Sequence, residues 1–177
     1  MNFIHIKFGL ALAMMAILFG GSMGLGFGCC EDSFKGTFKE NSTAVLADKY
    51  KGDQSLADKV SKKAWVYMKR AHLHALTMGV ISIVFSLVAA GLVFPARLQI
   101  GISILSGLGS LGYGVFWLIA GFLAPGMGST GAAKEAIGLL AQVSAVSFYI
   151  AAVVLFITLG YRIFMQKIPD SKFQKSN

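Results

Sequence analysis

Three runs of this chain, Ala71 to Phe94, Leu98 to Leu123 and Ile137 to Tyr161, contain no Asp, Glu, Lys or Arg. The hydrocarbon core of a bilayer is about 30 Å thick and is crossed by roughly 20 helical residues. Each run is therefore long enough to span it. A helix in a soluble domain of this size is usually shorter and keeps a polar stripe toward water. The runs predict an all-α integral membrane protein, folded as a small bundle of transmembrane helices.

Charge agrees with that reading. Only 14% of the 177 residues are charged, against about a quarter in soluble domains. The net charge of +8 in a soluble protein would suggest nucleic acid. Here the cations flank apolar runs, where a lysine gains roughly 1 kcal/mol beside anionic headgroups. The lipid bilayer is the expected partner, and nucleic acid is not.

The N-terminus allows two readings. Lys7 precedes an uncharged stretch from Phe8 to Gly28, and Gly26-Phe27-Gly28 before Cys29 resembles a signal-peptide cleavage site. The stretch outruns a signal's apolar centre of about 7–15 residues, so a retained first span is expected. The domain plan is a first span or signal-anchor at 1–29, a polar extramembrane segment at 30–70, three spans at 71–161, and a basic tail at 162–177. Four spans result, or three if the first is cleaved. Cys29 and Cys30 are neighbours, poorly placed to bridge each other, and have no spaced partners for a zinc site.

Within the polar segment, Ser55 with Asp58 three residues on reads as a helix start. Leu56, Val60, Ala64 and Tyr67 then recur at helical spacing, and nothing interrupts the pattern before Ala71. An amphipathic helix continuous with the second span follows. Trp65 and Tyr67 fit an interfacial aromatic belt, with Lys69 and Arg70 reaching the headgroups. Pro95 to Arg97 is a short turn between antiparallel spans, and Pro125 to Gly131 reads as the next loop. With four spans both termini share one side. Basic residues count toward the long loop being inside, whereas Lys7 ahead of the first run and the basic tail favour cytoplasmic termini. Cytoplasmic termini are the expectation.

Helices in lipid associate through close packing and hydrogen bonds. Gly79, Ser82 and Ser86 continue a small-residue stripe that starts at Met68 and His72. Ser106, Ser110 and Gly114 make a second such line, and Gln142 and Tyr149 a polar line on the fourth span. All are expected to pack between helices.

His72 and His74 are the residues closest to chemistry. Ionisable groups inside a membrane segment are rare and commonly functional, and imidazole ligates metals and haem. Two positions apart on a helix, they point about 200° from each other, so one ion cannot take both. His72 lies on the small stripe with Met68 one turn earlier, which makes it the better candidate for haem b, copper or a quinone. Met127 and His5 are the available second ligands. The plainer reading is an interfacial histidine hydrogen-bonded to headgroups or backbone.

Gly126-Met127-Gly128-Ser129-Thr130-Gly131 matches a dinucleotide fingerprint by letters, yet it follows a membrane helix and lacks the required strand. A loop capped by Ser129 or Thr130 is expected instead. The spans carry no carboxylate, which argues against an ion-coupled carrier. Three functions remain in order: a non-catalytic accessory or anchor subunit that packs on other membrane subunits or itself through its glycine-serine faces, an electron-transfer module centred on His72, and a small transporter.

Overall fold

The computed structural model describes residues 3–165. Among them the chain forms α1 (Lys7–Ala44), α2 (Leu46–Tyr50), α3 (Gln54–Gly91), α4 (Ala96–Met127), α5 (Thr130–Ala136) and α6 (Gly138–Met165), with no strand. By length and composition α1, α3, α4 and α6 are able to cross a bilayer. This is the chain of a multi-pass membrane protein with an all-α bundle.

Two of the spans are longer than a membrane requires. At 38 residues each, α1 and α3 run about 57 Å, nearly twice the hydrocarbon thickness. Their surplus ends pair outside the apolar runs and, with α2, α5 and the last turns of α4, build a cap. The cap has its own core of Phe38, Tyr50, Ala57, Val60, Ala64, Met68, Ala124 and Ala133. Inside it, the hydroxyl of buried Tyr50 donates to the Pro125 carbonyl at 2.7 Å. The same carbonyl accepts from the Gly128 amide at 3.4 Å, so the phenol adds a second donor at the end of α4.

The cap corrects several expectations. α1 does not stop near residue 29: it continues to Ala44, with non-helical backbone only at Cys30 (φ −137°, ψ 23°). Phe34, Phe38 and Ser42, four residues apart, carry this extension onto α3 and α4. The sulfurs of Cys29 and Cys30 are paired with each other, contrary to the expectation for neighbours. Pro125 lies inside α4, which ends two residues later at Met127. The α3 cap is Asp53, not Ser55: its carboxylate accepts from the Leu56 amide at 3.0 Å. Gly52, at φ 79°, turns the chain so that Asp53 arrives in that position. Ser129 does cap α5, accepting from the Gly131 and Ala132 amides.

In the spans, α4 is the central helix. It packs on α1, α3 and α6, whereas α6 rests almost wholly on α4. Half of the apolar window of α4 is buried, against 17% of that of α6. Small residues permit the approach. A methyl group added at Gly109 would stand 2.7 Å from the Ser144 carbonyl oxygen of α6, and one at Gly79 would stand 3.1 Å from the Ala13 carbonyl oxygen of α1. Both distances are shorter than carbon–oxygen van der Waals contact, so a side chain at either position would force the facing helix to shift.

Candidate functional site

His72 projects from α3 at the first turn of its uncharged run and meets α1. Its Nδ1 lies 2.7 Å from the Gly20 carbonyl oxygen. A carbonyl only accepts, so Nδ1 is the donor. Space for the ring comes from Gly24, one turn along α1. A Cβ there would sit 2.7 Å from His72 Cε1. The edge of Phe27 closes the other side, with ring centroids 5.8 Å apart and planes at 68°. Gly20, Gly24 and Phe27 were not among the residues expected from sequence, although Gly20-x-x-x-Gly24-x-x-x-Gly28 is a small-xxx-small run of the kind that brings membrane helices together.

His74 turns toward α4 instead. Its ring meets the edge of Tyr113 at 5.1 Å and lies nearly parallel to Trp117 at 6.2 Å. Arg70 lays its guanidinium 4.8 Å from the Trp117 ring, a cation–π contact at the start of the uncharged run. Met68 points a third way, into the cap core, where its sulfur fills the space left by Gly121. Met127 packs against that same core, and His5 precedes α1 at the far end of the bundle.

The donors suggested by sequence thus diverge. His72 faces α1, His74 faces the aromatic side chains of α4, and Met68 is enclosed by apolar neighbours. Bis-axial haem ligation needs two donors aimed at one point, and a copper site needs two or three. The residues present do not fit either group. A planar quinone beside Nε2 would also have to share space with Phe27. The arrangement acts as an interhelical fastening: an imidazole and a carbonyl join α1 to α3 where the bundle meets the cap.

Of the residues expected to pack between helices, Gly79, Ser82, Ser86, Ser106, Ser110 and Gly114 are buried within the chain. The serine hydroxyls satisfy themselves by donating to carbonyls three or four residues back, as Ser86 does to Ser82 at 2.8 Å. Gln142 and Tyr149 are placed differently. Both are exposed, Tyr149 at 69%, while Ser144, Ala151 and Leu155 form the side of α6 that meets α4. The polar line of the fourth span faces outward. The chain matches no protein-family model, no curated protein and no solved structure.

Proposed function

We propose that this chain is a non-catalytic accessory or anchor subunit of a larger membrane assembly, joined to another membrane helix through the outward face of α6. The observation that supports this is the position of Tyr149. It lies about 16 Å along α6 from Gly138, near mid-bilayer, and is largely exposed at the edge of an open groove that it shares with Met78 and Tyr113. A hydroxyl facing hydrocarbon has no water to bond, at a cost of several kcal/mol. Gln142 stands two turns earlier on the same face, and Val146 between them is also exposed. Polar groups on an otherwise apolar helix are the usual adhesive between membrane helices. A partner helix, from another subunit or a second copy, satisfies them.

The stripes of Gly79, Ser82 and Ser86 on α3 and of Ser106, Ser110 and Gly114 on α4 do not serve this purpose, since they are buried within the chain. Both termini are taken as cytoplasmic, from Lys7 at the start of α1 and the basic residues that follow α6; Lys167, Lys172 and Lys175 lie outside the described residues. The test is affinity purification in mild detergent of the wild type and of the Gln142→Leu/Tyr149→Leu double variant. Wild type is expected to bring a membrane partner in fixed ratio and the variant to lose it, with helicity and solubility unchanged. Retention of the same partner by the variant defeats the reading.

A further inference from the structure

Cys29 and Cys30 are joined sulfur to sulfur at the point where α1 leaves helical geometry, with Cys30 at φ −137° and ψ 23°. The two observations have one cause. Consecutive side chains on a straight helix diverge by about 100°, whereas a disulfide needs its Cβ atoms roughly 3.5–4.5 Å apart. Neighbouring sulfurs meet only where one of the two residues turns out of the helix. Bond and bend therefore belong together, and breaking the first releases the second.

The pair is also placed to react. Cys29 stands about 32 Å along α1 from Phe8, just past a hydrocarbon core of about 30 Å, and the carboxylate of Glu31 follows directly. Both cysteines are exposed, so no other helix of the chain covers them. The Gly26 carbonyl oxygen lies 3.6 Å from Cys29 Sγ, where it can accept from a thiol.

Contacts on both sides depend on the bend. Phe27 before it and Phe34 after it both meet the indole of Trp65, at 4.9 and 6.3 Å. Two turns of straight helix separate such positions by about 10 Å along the axis, yet the two phenyl centroids are 6.1 Å apart. Further on, Phe38 meets Phe122 at 5.6 Å, and Ser61 donates to the Phe38 carbonyl at 3.3 Å.

We infer that Cys29–Cys30 is a thiol–disulfide exchange site at the membrane surface, and that its state sets how the cap closes on α3 and α4. The reductant is a small dithiol in the adjoining water. Its thiolate attacks one sulfur and expels the other cysteine as a thiolate, which takes up a proton. The reagent's second thiol then displaces the cysteine still bound, and the reagent leaves as its own disulfide. Two electrons and two protons pass to the protein, and Cys30 is free to rejoin the helix. Residues 31–44 then leave the line that brings Phe34 and Phe38 onto Trp65 and Phe122. The reaction requires neither the α6 interface nor a particular orientation of the termini.

Alkylation with N-ethylmaleimide, read by intact mass on the full chain in nanodiscs, tests the exchange. Protein equilibrated with oxidised glutathione should take no maleimide, and protein reduced with dithiothreitol should take two. Two maleimides after oxidised glutathione overturn the site. So does a lasting glutathione adduct, which an adjacent thiol would have displaced. Hydrogen exchange of the two forms tests the coupling. Reduction should speed exchange across residues 31–44 roughly tenfold, the equivalent of one lost aromatic pair, and leave α6 unchanged. Equal rates in both forms overturn the coupling, as does a rise throughout the chain, which means general loosening. Cys29→Ser/Cys30→Ser should match the reduced form and ignore dithiothreitol, and a response from that variant also counts against the site. Both positions are exposed, so serine leaves the core intact.

Discussion

The Nδ1 of His72 donates to the carbonyl oxygen of Gly20 at 2.7 Å, tying α3 to α1 where the apolar bundle gives way to the cap. This bond depends on the bareness of Gly24, whose position the imidazole overhangs. Gly24→Ala should displace the ring and lose the bond together with its packing. Interhelical hydrogen bonds in membranes contribute about 0.6 kcal/mol on average and about 1.7 at most, and the forced shift adds about 1 kcal/mol or more. Unfolding in mixed micelles should show Gly24→Ala to be more destabilising than His72→Ala. Equal stability of Gly24→Ala and wild type contradicts the geometry.

The glycines of α4 separate by what lies opposite them. Gly109 abuts the backbone of α6 at Ser144, whereas nothing stands within 4 Å of a methyl group added at Gly101. Gly109→Ala should cost about 1–3 kcal/mol by overpacking and loosen α6. Gly101→Ala should be neutral or slightly stabilising, because alanine is the better helix former. Circular dichroism melts of the two variants check the contrast.

Tyr50 makes the stability of the cap depend on pH. Burial raises its phenol above the ordinary value of 10.0, so the folded state holds the proton more tightly than the unfolded one. The stabilisation is complete below pH 10.0 and declines as pH rises toward the folded value, because only the unfolded chain then ionises. Tyr50→Phe removes that decline. At neutral pH it costs about 1 kcal/mol for the lost bond to Pro125. Denaturation of both proteins on either side of pH 10.0 measures the difference.

Val93 lies within the α3–α4 turn at φ 53°, a conformation hostile to a β-branched residue. The turn is held by Gln99, which donates to the Phe94 carbonyl at 2.6 Å, and by Arg162, which donates to that of Val93 at 3.4 Å. Val93→Gly should relieve about 1 kcal/mol of backbone strain without altering those contacts. An unchanged or lowered unfolding midpoint counts against the strain.

The spans were legible because absence of charge over twenty residues has one common explanation. The small-residue stripe of α3 was also legible, since Gly79, Ser82 and Ser86 recur at steps of three and four. The faces of α6 were not. In water polarity marks the outside of a helix, but in lipid a polar line marks a contact without saying whether the neighbour belongs to the same chain. Gln142 and Tyr149 carry that ambiguity. The α1 extension was hidden for another reason: between Glu31 and Ala44 three residues at helical spacing are embedded among charges, and the helix is held by Trp65, Ser61 and Phe122 from distant parts of the chain. Divergence of His72, His74 and Met68 was half legible. Helical geometry separated the histidines, but only the neighbours reveal that Met68 faces α4 while His72 faces α1.

The central claim is that α6 completes itself against a second membrane helix, and the mass of the wild-type particle in mild detergent tests it most directly. Native mass spectrometry should find this polypeptide with a membrane partner, or a second copy of itself, in fixed stoichiometry. A solitary chain carrying nothing but lipid, with Tyr149 open to the detergent, would contradict the account.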